Sequence, residues 1–569
     1  MFVSQHSSDL TIQSDRMPRA LLIVVGLGLA LWIGFATLVA PPLIERAYRG
    51  DSLPALNAVM QGRSEHPVEF YLNKWNRTAL QLTLVTLASL LLGAAATSRR
   101  FFQTFVGDAP PQTLGAIRVV TCAVLLIATS LEDLGSVALL PPEMRTGTGA
   151  MGLLLAAPIG FERLLASEMG LRTLQHLTEL FLVLGMIGCF TRLVIPLTAA
   201  AHFLSLGILV DYSFFWHQNL VPLYVLTVLS FTPCGDGLSI DRLWKRYLGR
   251  RVRDRDWAVY GLSRYLCWVV IVLPYVQSGL AKLRMAGWSW WDATNMRSML
   301  YGDTLSPREY DWHVALRLVS APDAVFTALG VATIVLEVSY VLVLFSRTAR
   351  RILPLMMIGV HLGILLLQRI LFLDLILLQL VFVDFGRIRA ELPGRADTRA
   401  GFGTRFPFAA ALSLVVFVTA ACWLQRVEFY PLSAWQLYAM LDTSGKVSYY
   451  KVMGHYDSGR VSTVRLEEGI GALALDGRYS VALNKCFASA ADVSICEKFL
   501  AASASAYNAR RPPGDRLTHY EIQTWTWDFV SEPRDPEHGR LQKRIIVGAD
   551  GTQDAGDKFP VPPGSPGNP

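Results

Sequence analysis

Charged residues are scarce in this chain. Of its 569 residues only 17% are Asp, Glu, Lys or Arg, whereas 52% are hydrophobic. A water-soluble globular protein does not have this balance. The net charge of +7 comes largely from arginines between apolar runs, so it gives no reason to expect nucleic-acid binding. The composition therefore predicts a membrane protein.

Several familiar active-site patterns are absent from the sequence. It has no P-loop, no Cys-x-x-Cys pair, no His-Glu-x-x-His helix and no Gly-x-Ser-x-Gly elbow. It also lacks the internal repeat that many transporters carry. We therefore expect no metal, and a transporter ranks last among the functions considered.

Apolar runs of roughly 17 to 24 residues recur along the first three quarters of the chain, and each can cross a hydrocarbon core of about 30 Å. They predict a polytopic all-α integral membrane protein with about 11 transmembrane helices. The predicted spans are 19–41, 78–97, 113–131, 173–190, 193–210, 219–234, 262–283, 323–346, 352–367, 370–386 and 407–425.

The distribution of basic loops predicts the orientation of these helices. The loop 235–264 is richest in arginine and lysine and is placed in the cytoplasm, which puts the amino terminus inside and the region after 425 outside. The predicted divisions are a cytoplasmic leader 1–18, two additional helices with an outer loop in 19–112, a helical domain 113–425, an extracytoplasmic domain 426–548 and a disordered tail 549–569.

The region after 425 has a different hydrophobic period, which predicts a small α+β domain. Two strand-like runs flank a turn ending at Gly459, a helix is expected over about 489–508, and Trp525, Trp527 and Phe529 alternate on one face of a further strand. Cys486 and Cys496 either form a disulfide or pack on one side of a helix.

Ionisable groups at membrane depth are costly and are therefore candidates for function. Lys282 ends the long apolar run 262–283 and is either an interfacial anchor or a base, since an ammonium near hydrocarbon loses hydration and the free amine is favoured. Trp288 to Trp291 after it resemble an aromatic belt at the membrane surface. His217, His202 and His361 are further candidates, although a lone buried histidine most often only satisfies a backbone carbonyl.

Three segments carry a resemblance to a known family. They are Trp216-His217-Gln218-Asn219 with the later Leu238-Ser239-Ile240-Asp241, then Gly279-Leu280-Ala281-Lys282-Leu283 with Trp288, and His361 with the apolar stretch after it. They are similar to the vitamin K-dependent γ-glutamyl carboxylase superfamily, whose bacterial members are called horizontally transferred transmembrane (HTTM) domain proteins. The similarity extends through Ser433-Ala434-Trp435 and Tyr449-Tyr450-Lys451-Val452 and covers about 113–530.

This resemblance implies a base-driven reaction in a bacterial plasma membrane. A lysine takes a proton from reduced vitamin K or menaquinol, O2 adds, and the resulting epoxide alkoxide removes a glutamate γ-proton so that CO2 is captured. Lys282 and His217 would be catalytic. The other expected site residues are Asn219, Trp288, His361 and His202 for quinone binding, and Gly279, Ser239, Asp241, Cys486 and Cys496 for structure.

Other functions stay open beside the carboxylase. Animal carboxylases continue for hundreds of residues that help to bind their protein substrate, whereas the region after 530 is short here. The chain could be a quinol epoxidase without carboxylation, or a non-catalytic membrane scaffold or maturation factor for an exported partner. The expected partners are membrane lipid and an exported peptide or protein.

Overall fold

The computed structural model describes residues 19–52, 66–147, 149–158, 160–212, 217–249, 256–307, 310–383, 402–471, 483, 486, 490–549 and 553–554. The predicted leader 1–18 and Trp216 lie outside these residues. So do the basic residues within 250–255 and 384–401, which were expected to mark the cytoplasmic side, and most of the predicted disordered tail.

The chain divides into two compact units. The first comprises Met1–Gly107 and Asp397–Gln425, and the second comprises Asp108–Ala396 and Arg426–Pro569. The helical region after residue 107 and the region after 425 therefore belong to one unit, whereas the last apolar helix groups with the first two.

The described residues are mostly helical. The α-helices are α1 Arg19–Gly34, α2 Ala40–Arg49, α3 Val68–Ala96, α4 Arg99–Phe101, α5 Pro111–Ser130, α6 Gly149–Ala156, α7 Phe161–Leu165, α8 Glu168–Ile187, α9 Thr191–Asp211, α10 Leu220–Ser230, α11 Ile240–Tyr247, α12 Trp257–Ala286, α13 Ala293–Leu305, α14 Asp323–Ser339, α15 Leu342–Phe345, α16 Arg347–Gln368, α17 Leu373–Leu378, α18 Phe402–Gln425 and α19 Ala490–Asn508. Short π-helical or 3-10 segments are Phe35–Val39, Phe102–Val106, Leu134–Leu139, Pro142–Met144, Cys234–Asp236, Gly287–Trp291, Val314–Leu318, Gln379–Phe382 and Leu466–Glu468.

Seven helical stretches in the described residues are long and apolar enough to cross a membrane, and the chain is a membrane protein. They are Gly26–Arg49, Val68–Ala96, Pro111–Ser130, Thr191–Asp211, Trp257–Trp291, Arg347–Gln368 and Arg405–Gln425. Each overlaps one predicted span. The total of eleven, and the orientation, stay predictions.

Two predicted spans are shorter in the structure than the sequence indicated. The span 219–234 is the 11-residue helix α10, which stops at Ser230 ahead of Pro233. In the described part of the span 370–386, which ends at residue 383, the helical stretch is Leu373–Phe382. At 1.5 Å per residue each covers only about 15–17 Å, less than a bilayer core. The predicted span 323–346 is likewise interrupted after Ser339, at the end of α14.

The α+β character predicted after residue 425 is confirmed. The strands are β1 Glu428–Phe429, β2 Leu432–Ser433, β3 Lys446–Tyr456, β4 Val461–Thr463, β5 Leu517–Asp528, β6 Arg540–Gly548 and β7 Gln553–Asp554. β1 pairs with β2, and the remaining five form an antiparallel sheet in the order β4-β3-β5-β6-β7. The predicted hairpin is β3–β4, and the predicted helix is α19. The short strand β7 lies in the stretch expected to be disordered, so that expectation was wrong at this point.

Aromatic side chains attach this sheet to the helical part of its unit. Trp527 and Phe529 pack in one buried cluster with Tyr301 of α13, and the Tyr301 and Trp527 ring centroids are 5.3 Å apart. Trp525 packs against the same cluster, as the alternation predicted. The expected disulfide between Cys486 and Cys496 is present, with Cα atoms 5.0 Å apart.

Candidate functional site

A cavity of about 420 Å³ lies among α12, α13, α14, α16 and the segment after β2. Small-molecule sites usually occupy about 300–1,000 Å³ and are mostly apolar with a few placed polar groups. The walls fit that description, since apolar side chains, leucine and methionine prominent among them, supply most of the lining, while Lys282, Glu337, Ser278, Tyr275 and His361 supply polar atoms. The cavity is therefore the main candidate for a binding site.

Lys282 forms a buried ion pair at the cavity wall. Its Nζ lies 2.9 Å from both carboxylate oxygens of Glu337 and donates to Ser278 Oγ at 2.8 Å. Only 4% of the Lys282 side chain and 12% of the Glu337 side chain are exposed. The Lys282 side chain is therefore buried and does not extend to water as an interfacial anchor would. A role for Lys282 as a base has to include the Glu337 carboxylate that contacts it.

Gly279 permits the contact between Lys282 and Glu337. A Cβ atom at this position would lie 2.9 Å from Val338 Cγ2 and 3.0 Å from Glu337 Cβ. Contacts that close force a shift of the neighbouring side chain or helix. The absence of a side chain at Gly279 thus permits the close approach of α14 to α12 that places Glu337 beside Lys282.

The expected aromatic belt divides into an exposed and a buried part. Trp288 is 75% exposed and contacts Trp291, with ring centroids 5.2 Å apart. Trp290 is instead 2% exposed, lines the cavity and donates from its indole to the Tyr438 carbonyl at 2.7 Å. Lys282 Nζ lies 5.3 Å from the centre of the Trp290 ring, so this tryptophan packs against the cation rather than at the surface.

A directional hydrogen-bond chain ends at His361. The Gln379 amide nitrogen donates to the Leu375 carbonyl and to Tyr275 Oη, and the Tyr340 hydroxyl donates to the Gln379 amide oxygen. Because the Leu375 carbonyl can only accept, it fixes the orientation of the amide. Among the described residues the Tyr275 hydroxyl has no acceptor other than His361 Nε2, 3.0 Å away, so its proton is satisfied only if it donates to that nitrogen.

The direction of this chain assigns the neutral tautomer of His361. If Nε2 accepts, the ring proton sits on Nδ1, which has no hydrogen-bond partner among the described residues. The histidine, which lines the cavity and is 5% exposed, therefore offers a donor that no described residue accepts.

His217 is separated from the cavity by one aromatic ring. Its Nε2 lies 2.8 Å from Ser433 Oγ and 3.4 Å from a Glu428 carboxylate oxygen. Its ring centroid is 5.0 Å from that of Trp435, which lines the cavity. His217 therefore positions Trp435 and the β1–β2 hairpin, and direct contact with a ligand in the cavity would require Trp435 to move.

His202 and Asn219 do not line this cavity. Both border a separate space of about 20 Å³, large enough for one water molecule. Both ring nitrogens of His202 lack hydrogen-bond partners in the described residues. The backbone nitrogen of Asn219 donates to the buried Asp374 carboxylate at 2.8 Å.

Ser239 and Asp241 accept hydrogen bonds from backbone nitrogens at the starts of α11 and α9. Ser239 Oγ accepts from the Arg242 backbone nitrogen at the start of α11. The Asp241 carboxylate accepts from the backbone nitrogens of Phe190 and Thr191, at 2.7 and 2.8 Å, and from the Thr191 hydroxyl. These bonds satisfy orphan donors at the first turn of α9.

Two residues of the site were missed by the sequence reasoning. Glu337 is the sole carboxylate in the apolar helix α14 after its first turn, and a charge at membrane depth was the signal that could have found it. Tyr275 offered no comparable signal, since a tyrosine in an apolar helix is common. Of the predicted residues, the structure brings Lys282 and His361 to one cavity and leaves Trp288, His202 and Asn219 outside it.

Comparisons with known proteins found no match for this chain among family models, curated proteins or solved structures.

Proposed function

We propose that this protein is a membrane enzyme that oxygenates a reduced quinone to its epoxide and uses that reaction to carboxylate glutamate in an exported peptide. The observation that carries the proposal is the buried Lys282–Glu337 pair at the wall of a largely apolar cavity. The resemblance of the segments around Lys282 and His217 to the vitamin K-dependent carboxylases gives the reaction class.

The cavity suits a hydroquinone chemically. An aromatic ring with an isoprenoid chain needs apolar walls, which the methionine and leucine side chains provide, and its two hydroxyl groups need polar partners. Two sets of polar groups are available, the Lys282–Glu337 pair and the Tyr275–His361 pair.

The Lys282–Glu337 pair would accept the proton of a quinol hydroxyl. As an ion pair it is neutral overall, and the carboxylate is its accepting group. After accepting a proton the pair is cationic, and the Lys282 ammonium stays beside the deprotonated hydroxyl as its counter-charge. Burial strengthens this attraction because little water screens it.

His361 would hold the second oxygen of the ring. Its Nδ1–H is the donor fixed by the hydrogen bond to Tyr275, and such a donor stabilises negative charge on a ligand oxygen. When bound, the quinol would react with O2 to give quinone epoxide and water, a four-electron oxidation in which one oxygen atom of O2 enters the epoxide and the other leaves as water. Glutamate and CO2 give γ-carboxyglutamate and a proton.

The test is epoxide formation by purified protein with reduced vitamin K or menaquinol and O2. Gly363 lines the cavity, and a Cβ there meets nothing within 4 Å, so Gly363→Phe should fill the space without disturbing the helix. We expect epoxide from wild type and little from Gly363→Phe. Gly28→Leu is the control, because Gly28 lies in α1 of the other unit and also faces open space.

Carboxylation is assayed separately with labelled CO2 and a glutamate-containing peptide. Epoxide without labelled peptide would restrict the activity to a quinol epoxidase. No epoxide from folded protein with either quinol would contradict the proposal and favour a non-catalytic scaffold.

A further inference from the structure

A second pocket, of about 380 Å³, lies between the sheet and the ends of the membrane helices. One wall comes from β3 and the residues after β4, and the other comes from the segment after α13 and the turn after α16. Its polar lining includes Lys451, Arg465, Arg369 and His313, against one carboxylate, Asp311. Nothing in the proposed quinone chemistry uses it.

Lys451 is the cation of this pocket that lacks an ionic partner. Its Nζ lies 3.7 Å from the centre of the Trp525 ring and 5.7 Å from that of Tyr449. Among the described residues no carboxylate lies within ion-pair distance of it. The two rings hold the ammonium in place at low entropic cost, so it is preorganised to receive an anion.

The other charges in the pocket are already engaged. Arg465 pairs with Asp311 at 2.7 Å, which neutralises the only lining carboxylate. The guanidinium of Arg369 donates to backbone carbonyls, among them those of Tyr310 and Ser306. An incoming anion would therefore meet Lys451 first, with His313 beside it.

The surroundings of Lys451 act on its pKa in opposite directions. Burial lowers the pKa of its amine, and the nearby carboxylates of Glu537 and Asp535 oppose that shift. Burial, with Arg369 as a second cause, lowers the pKa of His313, as expected in a basic cluster. A bound anion would relieve this repulsion.

The pocket borders the end of a helix that is long and apolar enough to cross a membrane. Arg369 directly follows α16, one of the helices able to cross a membrane. Tyr310 and Trp312 are stacked with ring centroids 4.6 Å apart, and the Trp312 indole donates to the Leu365 carbonyl in the last turn of α16. Tryptophan and tyrosine concentrate at headgroup depth.

We propose that this pocket binds the phosphate of an anionic glycerophospholipid headgroup, with Lys451 as its principal partner. Lysine binds phosphate as a point charge, and basic pockets beside membrane helices bind lipid headgroups. The bound lipid bridges the sheet to the ends of α13 and α16.

Native mass spectrometry of the full-length protein in non-ionic detergent, titrated with phosphatidylglycerol, tests this site. Wild type should retain one lipid. Lys451→Met should weaken retention by about tenfold, the loss of one charge-assisted contact. Lys446→Met is the matched control, since Lys446 lies on the same strand but is exposed and pairs with Asp528, and it should bind as wild type.

Three results would overturn the proposal. Equal lipid retention by Lys451→Met and wild type would remove Lys451 as the partner. Displacement of the lipid by sn-glycerol 3-phosphate at equal concentration would assign the pocket to a water-soluble phosphate, and displacement by a glutamate-rich peptide would assign it to a peptide.

Discussion

At the scale of single residues, Lys282 and Glu337 have to be considered as one group. A buried charge without its partner is strongly unfavourable, whereas a matched neutral replacement of both partners is often tolerated. Replacing one partner should therefore affect folding more than replacing both. This difference allows the chemical role of the pair to be measured separately from its structural role.

Lys282→Met should destabilise the protein by about 3–5 kcal/mol, because it leaves the Glu337 carboxylate buried without its counter-ion. The double variant Lys282→Met with Glu337→Gln should recover most of this loss, since neither charge remains. Thermal unfolding in detergent measures both. Equal destabilisation by the single and double variants would show that the two side chains do not form an ion pair.

Lys282 could be selected from the sequence because it ends a long apolar run, but its partner could not. Glu337 is 55 positions away in the chain, and only the packing of α12 on α14 brings the two together. The tautomer of His361 depends on four residues from three separate segments, which no spacing rule connects. Residue types at membrane depth are thus predictable from sequence, while their pairing is not.

At the scale of elements, the contact of α12 with α14 determines the site. Gly279→Ala should push the helices apart, because its Cβ would lie 2.9 Å from Val338 Cγ2. Overpacking of this kind costs about 1–3 kcal/mol, and we expect quinol turnover to fall with it because the ion pair lengthens. Thermal unfolding and epoxide formation measure the two effects.

Gly26→Ala is the control for that prediction. Gly26 lies in α1 of the other unit, and a Cβ there meets nothing within 4 Å. This change should leave turnover intact and stabilise the helix by up to about 1 kcal/mol. Unchanged stability and turnover of Gly279→Ala would show that close approach at residue 279 is not required.

The sheet gives a prediction about pH. His519 on β5 stacks on His455 of β3, with ring centroids 4.1 Å apart. Burial, and then the neighbouring His455, lowers the pKa of His519, so the unfolded chain takes up a proton near pH 6.5 that the folded sheet resists. Stability should therefore fall as the pH drops below about 6.5.

Melting temperatures between pH 7.5 and 5 measure this effect. His519→Gln should lose less stability over that range than wild type, because its side chain does not titrate. A steeper loss in His519→Gln than in wild type would contradict the assignment.

Most of these elements were predictable, and their ends were less so. Hydrophobic runs located the seven helices able to cross a membrane, and alternation located β3, β4 and β5. Interruptions were harder to foresee. Helix α14 stops at Ser339 within a run that remains apolar, so hydropathy alone extended it too far. Helix α10 stops at Ser230, and Pro233 was the local signal for its end that the predicted span did not use.

At the scale of the whole molecule, the sequence did not predict which segments group together in each of the two units. Helix α18 belongs with the first two apolar helices, whereas the sheet that follows it belongs with the cavity-bearing unit. Composition could separate membrane helices from sheet, but it holds no information about which helices pack together. The cavity is likewise a product of packing among five segments.

The most direct test of the central claim is oxygenation of reduced vitamin K and menaquinol under ¹⁸O2, comparing wild type with the double variant Lys282→Met and Glu337→Gln. We predict labelled epoxide from wild type, and a rate lower by about 10²–10⁴-fold in a folded double variant, the usual contribution of a positioned base. Epoxide formation by the double variant at the wild-type rate would contradict the account.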